Sequence, residues 1–433
     1  MEKENKIKIN LKTAIAVIVG LLIIVALVIV SLFNTNSNSN NTVGQNNNTL
    51  QNQNQKVNSE NDYEFAMKFL KLENNNKNKI YSPLSIKYAL NMLNEGAEGN
   101  TKAQIENLLE NVNLTRYNNI NKVLSLANGV YIRDTYKQFI NNEYNKTLQS
   151  KYNAEIKFDS FNNANNINKW IENKTLGIIK NMIKDSVVQE PDTKMLLINA
   201  LAIDMEWQES FEDDNTHGAD FYLSDGNKMT ATTMNKETSS NSVSYYKNEE
   251  ITSLTMDLKK YGNTQLEFTA IMPNDNLANY IDDFTADELN TIVQNSKKAS
   301  SVKNGIHIFI PKFSFDYDLK LKDDLIKLGM EDAFDEDLAN FTDMTTEGKE
   351  LYVGDALHKA NIDFTEKGVK AAAVTAIIML ETSAMMQVEQ KEEVRIDKPF
   401  MYIIRDKNNG EIWFVGTVYE PNSWENDKAD YRG

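Results

Sequence analysis

The sequence predicts an α+β fold. From about Glu60 onward, helical spacing dominates the first third and strand-like runs dominate the rest, so helices and strands come in blocks rather than in βαβ alternation. With 6 prolines and 17 glycines in 433 residues, few breakers interrupt these runs and long regular elements are expected. No internal repeat and no second linker divides the region, which reads as one domain of roughly 360 residues.

Ahead of it, Ala14 to Phe33 carries no charged residue (AIAVIVGLLIIVALVIVSLF). Such a run is long enough to cross a bilayer as a helix. Lys3, Lys6, Lys8 and Lys12 precede it against Glu2 and Glu4, and no charge follows until Lys56. The positive-inside bias therefore predicts a cytoplasmic 1–12, a transmembrane anchor at 13–33 and the remainder outside the cell. The alternative is a cleaved signal peptide and a secreted chain, although the apolar run is long for one and no small-x-small cleavage site follows. Residues 34–59 are mostly Asn, Ser, Gln and Thr and read as a disordered stalk, too polar to offset its ordering entropy. Asn40-Asn41-Thr42 and Asn47-Asn48-Thr49 are sequons of the kind that so Asn-rich a stretch produces by chance.

Within the domain, Ser82-Pro83 has the form of an N-cap followed by proline at the first helical position. Ile86, Leu90 and Leu93 continue at helical spacing to Gly96. Thr101-Lys102-Ala103-Gln104 reads as a capping box opening the next helix. Leu196–Ile203 and Gly305–Phe315 read as strands, the second for its β-branched and aromatic content. Phe400–Val418 reads as two strands around Lys407-Asn408-Asn409-Gly410. The polar tail 422–433 is expected to be disordered.

Composition excludes several function classes. The chain has 62 acidic and 46 basic residues, a net charge of −16, which argues against binding nucleic acid or anionic lipid non-specifically. With no cysteine there is no disulfide, thiol nucleophile or thiolate metal site. The three histidines, His217, His307 and His358, are far apart in sequence. No G-x-S-x-G elbow, P-loop, H-E-x-x-H or EF-hand loop occurs, so the reading is of a protein that is not an enzyme and needs no cofactor or metal.

Residues from 60 to 421 carry a succession of short blocks that match one known family in order. The segment Asn78-Lys79-Ile80-Tyr81-Ser82-Pro83-Leu84-Ser85-Ile86, running on through Ala89-Leu90 and Gly96-Ala97 to Thr101, is similar to the family's N-x-x-x-S-P-x-S-I block. Ala127-Asn128, Ile167-Asn168-Lys169-Trp170, Asn199-Ala200, Trp207, Phe211 and Thr216 follow in family order. So do Pro311-Lys312-Phe313, Leu328-Gly329-Met330, His358-Lys359-Ala360, Pro399-Phe400, Gly416 and Pro421. Each block is weak alone, but the set in order and spacing is specific, and by it residues 60–421 resemble the serpin family. The resemblance implies three β-sheets, eight or nine helices and an exposed reactive-centre loop near the C-terminus. It also implies a monomeric suicide inhibitor whose partner is a serine or cysteine protease. In such inhibitors the cleaved loop inserts into the main sheet and drags the acylated protease with it, a strand addition that releases stored strain.

The loop can be tested against the physics of insertion. Alternate residues of an entering strand face inward. Taking Val369 as inward, the buried set is Val369, Ala371, Ala373, Thr375, Ile377 and Met379, none of them charged. A charge there would be desolvated at a cost of several kcal/mol. No proline lies between Glu366 and Lys398, so no ladder hydrogen bond is lost. Glu366, Gly368, Val369, Ala371, Ala372 and Ala373 reproduce the E-x-G-x-x-A-A-A hinge of inhibitory members, with Gly368 expected to be a flexible pivot. On composition alone, so Ala-rich a stretch would be a core helix. The flanking His358–Phe364 and Val394–Phe400 blocks override that.

Fourteen residues beyond Gly368, the family's usual interval, lies Thr382, with the reactive bond before Ser383. The span onward to Pro399 is longer than usual, so Glu381, Ala384 and Met385 remain alternatives. Glu381 suits a glutamate-specific protease, and the others suit elastase-like or subtilisin-like pockets. No Arg or Lys lies between Ala371 and Gln390, which disfavours trypsin-like targets. Ser82, Ser85, Asn199 and His358 match polar residues that cluster under the opening point of the main sheet in the family. Trp207 matches the tryptophan at its top. Read without the resemblance, these are core hydrogen bonds and a core aromatic.

Overall fold

The computed structural model describes residues 61–431 except 110, 111, 113, 192, 320, 347–350 and 371–390. The expected anchor at 13–33 and stalk at 34–59 lie outside the described residues. Among those described, no helix is long and apolar enough to cross a membrane.

Three sheets form the framework. One orders β1 (Lys79–Tyr81), β18 (Ile412–Val418), β17 (Phe400–Asp406), β10 (Leu266–Pro273), β9 (Ile251–Asp257), β8 (Val243–Lys247) and β11 (Lys297–Lys298). A second orders β16 (Glu392–Arg395), β12 (Ile306–Pro311), β7 (Lys228–Thr238) and β6 (Thr216–Tyr222). The main sheet orders β3 (Glu155–Asp159), β2 (Leu124–Arg133), β4 (Met195–Ile203), β14 (Asp355–Phe364), β15 (Gly368–Lys370) and β5 (Met205–Glu206), with β13 (Phe313–Leu319) on the other edge of β14.

Strand β4 (MLLINALAI) is buried at every position because both of its faces are covered. Leu196, Ile198 and Ala200 join a small core with Ile167 and Ile171 of the Asn165–Lys174 helix. Met195, Leu197, Leu201 and Ile203 join the large core, to which the Pro83–Asn94 helix contributes Leu84, Ile86, Leu90 and Leu93. A strand buried on both faces has no polar alternation. In β14 the pattern is the opposite. Ala356, His358, Ala360, Ile362 and Phe364 are buried, and the residues between them are only partly covered, as a one-sided strand requires.

Ser82 caps the Pro83–Asn94 helix as expected, its hydroxyl accepting the Ser85 N–H at 3.1 Å. The capping box at Thr101 is not formed. The helix already starts at Gly99, and the Thr101 hydroxyl instead accepts the Asn340 N–H at 3.0 Å. The Gln104 side chain likewise accepts the N–H groups of Glu331 and Asp332 from a distant loop. Tertiary partners have displaced the local ones.

The run Gly305–Phe315, expected as one strand, is two. Strand β12 ends at Pro311 in the second sheet, and β13 begins at Phe313 beside β14. Lys312 is the residue at the crossing. The expectation of a disordered tail is also overturned through Tyr431. The Asn422 N–H donates to the Lys312 carbonyl and its carbonyl accepts the Thr232 N–H, each at 2.9 Å, Ser423 bridges Ala231, and Trp424–Asp427 is a turn of helix. The polar side chains of this segment do not prevent folding, because an existing sheet supplies the backbone partners.

Candidate functional site

Strands β4 and β14 run parallel but pair only from Asp355↔Leu196 to Leu357↔Ile198. Beyond that point they part. At the far end β15 lies between them, antiparallel to both β14 (Phe364↔Val369, Asp363↔Lys370) and β5 (Val369↔Met205, Gly368↔Glu206), and β5 follows directly on β4. The main sheet is therefore forked. Along residues 199–203 and 358–362, no strand among the described residues pairs with the facing edges.

The first residues past the last pair are both polar, Asn199 and His358. The Pro83–Asn94 helix start connects them. His358 Nε2 accepts the Ser82 N–H at 3.0 Å, and the Ser85 hydroxyl donates to Asn199 Oδ1. The Asn199 amide donates to Asn128 Oδ1, whose own amide donates to the Tyr152 carbonyl at 2.8 Å. The structure thus brings Ser82, Ser85, Asn199 and His358 into one buried hydrogen-bonded chain. It adds Asn128, which the sequence marks only as part of a family block. Trp207 is not part of this chain.

Burial holds the His358 imidazole well below its ordinary pKa, at about 4. Accepting from Ser82 at Nε2 puts the proton on Nδ1, and a cation at a helix N-terminus would be unfavourable. The unfolded chain therefore takes up this proton first as pH falls. Stability should drop from about pH 6.5 to about pH 4, by up to about 3 kcal/mol, and level off below. The check is thermal unfolding of wild type and His358→Gln across that range. The wild-type advantage should shrink with acidification, and a constant difference between the two would rule out a neutral buried His358.

At the far end of the fork lies the turn from Thr365 to Gly368. Trp207 donates its indole N–H to the Thr365 carbonyl and its backbone N–H to the Lys367 carbonyl, both at 2.9 Å. The Phe211 N–H reaches the Glu366 carbonyl at 2.8 Å. The Trp207 ring packs edge-on against Phe364 and Phe268, and Phe364 stacks on Phe313 at 4.6 Å. The turn therefore springs from a rigid aromatic cluster. The φ of Gly368 lies outside the left-handed region, and an added Cβ would sit 2.1 Å from the Met205 carbonyl oxygen. Glycine is needed there for close approach. Val369 is 3% exposed and shares the buried face with Phe364, as expected for the first inward residue.

Glu366 is 5% exposed and fully engaged. Lys312 Nζ lies 3.0 Å from Oε2, while Thr216 and Tyr431 donate their hydroxyls to Oε1 at 2.8 and 2.7 Å. Burial pushes this carboxyl up, but the Lys312 charge and the hydrogen bonds from Tyr431, its own backbone and Thr216 together hold it below the usual range. The sequence points to Glu366 but gives no signal for Tyr431, and it marks Lys312 and Thr216 only as family matches. Ala371, Ala372, Ala373, Glu381, Thr382, Ser383, Ala384 and Met385 lie outside the described residues. No cluster of His, Asp and Glu among the described residues is arranged to hold a metal ion.

The family model for serpins (serine protease inhibitors) matches residues 60–421. The chain belongs to the serpin family. Among its relatives, human serpin B4 is 29% identical, over 83% of this chain and 97% of its own length. A serpin-like protein of Methanosarcina acetivorans is 28% identical, over 83% of this chain and 85% of its own. Among solved structures, the thermophilic serpin tengpin in its native state superimposes with a TM-score of 0.70 at 28% identity, covering 84% of this chain and 94% of tengpin. The complex of thyroxine-binding globulin with thyroxine matches at a TM-score of 0.70 and 24% identity over 86% of this chain and all (100%) of that one, a likeness of fold alone. The three-sheet α+β architecture is that of a serpin.

Proposed function

We propose that this serpin is a covalent suicide inhibitor of extracellular serine proteases with elastase-like, subtilisin-like or glutamate specificity, held at the cell surface by its 13–33 segment. The observation that carries the reading is the fork, with Gly368 and Val369 already paired inside one end of it. Continuing their register sets Ala371 opposite Ile362 and Ile203, Ala373 opposite Ala360 and Leu201, and Thr375 opposite His358 and Asn199. The small residues of the E-x-G-x-x-A-A-A run thus meet the apolar edges, and the one polar inward residue meets the polar chain. A loop with this alternation fills the gap without burying a charge.

In the proposed reaction the protease serine Oγ attacks the carbonyl carbon of Thr382, or of a neighbour among Glu381, Ala384 and Met385. The peptide C–N bond breaks, the new amine of Ser383 takes a proton and leaves, and an ester joins protease to inhibitor. Insertion of the freed strand then outruns hydrolysis of that ester. The uncharged pattern from Ala371 to Thr375 distinguishes this reading from a serpin-fold binding protein.

Incubation with elastase, subtilisin and a glutamate-specific protease tests it. The expected result is a complex that survives boiling in detergent with at least one of them, together with a released C-terminal peptide whose mass identifies the cleaved bond. Cleavage without complex in every case would make the protein a substrate. No cleavage at all would favour a binding role.

A further inference from the structure

The segment after Pro421 lies beyond the family match, yet it reaches the base of the loop. Its path is well anchored. Asn422 closes onto Lys312 and Thr232 through its backbone and accepts the Ser314 N–H at 3.0 Å through its side chain. Trp424 lies over Gly218, where an added Cβ would come 2.6 Å from the indole. Tyr431 stacks on Trp424 with ring centres 5.7 Å apart. From there its hydroxyl donates to Glu366 and contacts Lys312, whose ammonium lies 5.0 Å from the centre of the Tyr431 ring. One tyrosine thus engages both partners of the buried ion pair.

Glu366 sits at the tip of the turn that leads β14 into β15. The contacts to it are made with that turn closed, by the Thr365 N–H on the Gly368 carbonyl at 3.0 Å, and with Gly368–Lys370 between β14 and β5. If the turn opens and the hinge swings out to solvent, Glu366 leaves its partners. The Tyr431 contact therefore favours a seated hinge over an expelled one.

We infer that Tyr431, carried by the 422–431 segment, is a positioning residue that keeps the hinge seated in the fork, so that strand insertion starts from a formed nucleus. This rests on the inhibitory reading above for its consequence, but not for the contact itself. Tyr431 acts through Glu366 and is far in sequence from the reactive bond, so it should alter how the acylated protein partitions and not how fast a protease first attacks it.

The test uses the full chain, Tyr431→Phe and a chain stopped after Pro421. Hydrogen exchange followed by mass spectrometry reads the amides of residues 366–370. Tyr431→Phe should raise their exchange roughly tenfold, the scale expected for losing a hydrogen bond to a charged group, with β17 and β18 unchanged. The shortened chain should show at least the same rise. With subtilisin, both variants should give less complex and more cleaved chain at an unaltered rate of first cleavage. Unchanged exchange at 366–370 in Tyr431→Phe overturns the inference, whether or not the shortened chain folds. So does raised exchange with an unaltered ratio of complex to cleaved chain. If wild type forms no complex with any protease, the inhibitory reading fails, and exchange alone still decides whether Tyr431 seats the hinge.

Discussion

Ala371→Glu should turn the protein from a trap into a substrate. The register of Gly368 and Val369 directs position 371 between Ile362 and Ile203, both buried in the large core. Insertion would then desolvate a carboxylate between two isoleucines, at a cost of several kcal/mol. Each 1.4 kcal/mol changes the competition between insertion and ester hydrolysis about tenfold if it falls on the insertion barrier. Detergent-stable complex should therefore drop at least tenfold on gels, with cleaved chain in its place. Ala372→Glu is the internal control. It lies on the opposite face, between the partly covered Asn361 of β14 and the buried Ala202 of β4. That variant should lose less complex than Ala371→Glu. Equal effects at 371 and 372 would contradict the alternation, and an undiminished complex in Ala371→Glu would contradict insertion itself.

The second large effect concerns heat. Cleavage of the loop without a bound protease should leave a molecule that melts far above the intact one. In the intact fold the edges of 199–203 and 358–362 that face each other lack strand partners among the described residues. A strand filling the gap bonds to both. At about 1 kcal/mol net for each new hydrogen bond, the gain is on the order of 10 kcal/mol before burial of the inward side chains is added. In a domain this large, a change of that size moves the melting temperature by on the order of 10 °C, and burial of the inward side chains adds to it. Calorimetry or circular dichroism on the intact and nicked forms measures it. Equal melting temperatures would mean that the fork does not accept the loop.

A polar chain at the branch of the fork is consistent with both expectations. His358 and Asn199 do not bond each other. Each is tied to the start of the Pro83–Asn94 helix, through Ser82 and Ser85. Strands held through a third element can separate without exposing an unpaired polar group at the branch, provided the helix keeps its own bonds. At the other end, the aromatic cluster of Trp207, Phe268, Phe313 and Phe364 and the ion pair of Glu366 with Lys312 hold the turn. The fork is thus fixed at both ends, and between them no strand among the described residues pairs with its facing edges.

Much of this is legible in the sequence. The Ser82-Pro83 helix start and the two C-terminal strands follow from constraints acting over a few residues: a capping hydroxyl, a proline with no N–H, a side-chain period of two. The burial of Val369 follows from the same period, while Ala371 to Met379 of the uncharged set lie outside the described residues. These features need no knowledge of what lies across the sheet. The failures are local signals overruled from a distance. Thr101 and Gln104 have the form of a cap and serve the 331–340 loop instead. Gly305–Phe315 has one composition throughout but changes sheets at Lys312.

What only the tertiary structure decided is the neighbourhood of the turn. Lys312, Thr216 and Tyr431 reach Glu366 from three separate parts of the chain. The need for glycine at 368 comes from the Met205 carbonyl, not from the conformation of Gly368 itself. Such contacts depend on the relative register of strands distant in sequence, and periodicity carries no information about register between them. The sequence alone determined a loop whose alternate residues from Val369 carry no charge. Folding determined that Gly368–Lys370 pair between β14 and β5 and what holds the turn before them, because burial of a charge and close approach of two backbones exist only once the sheets are assembled.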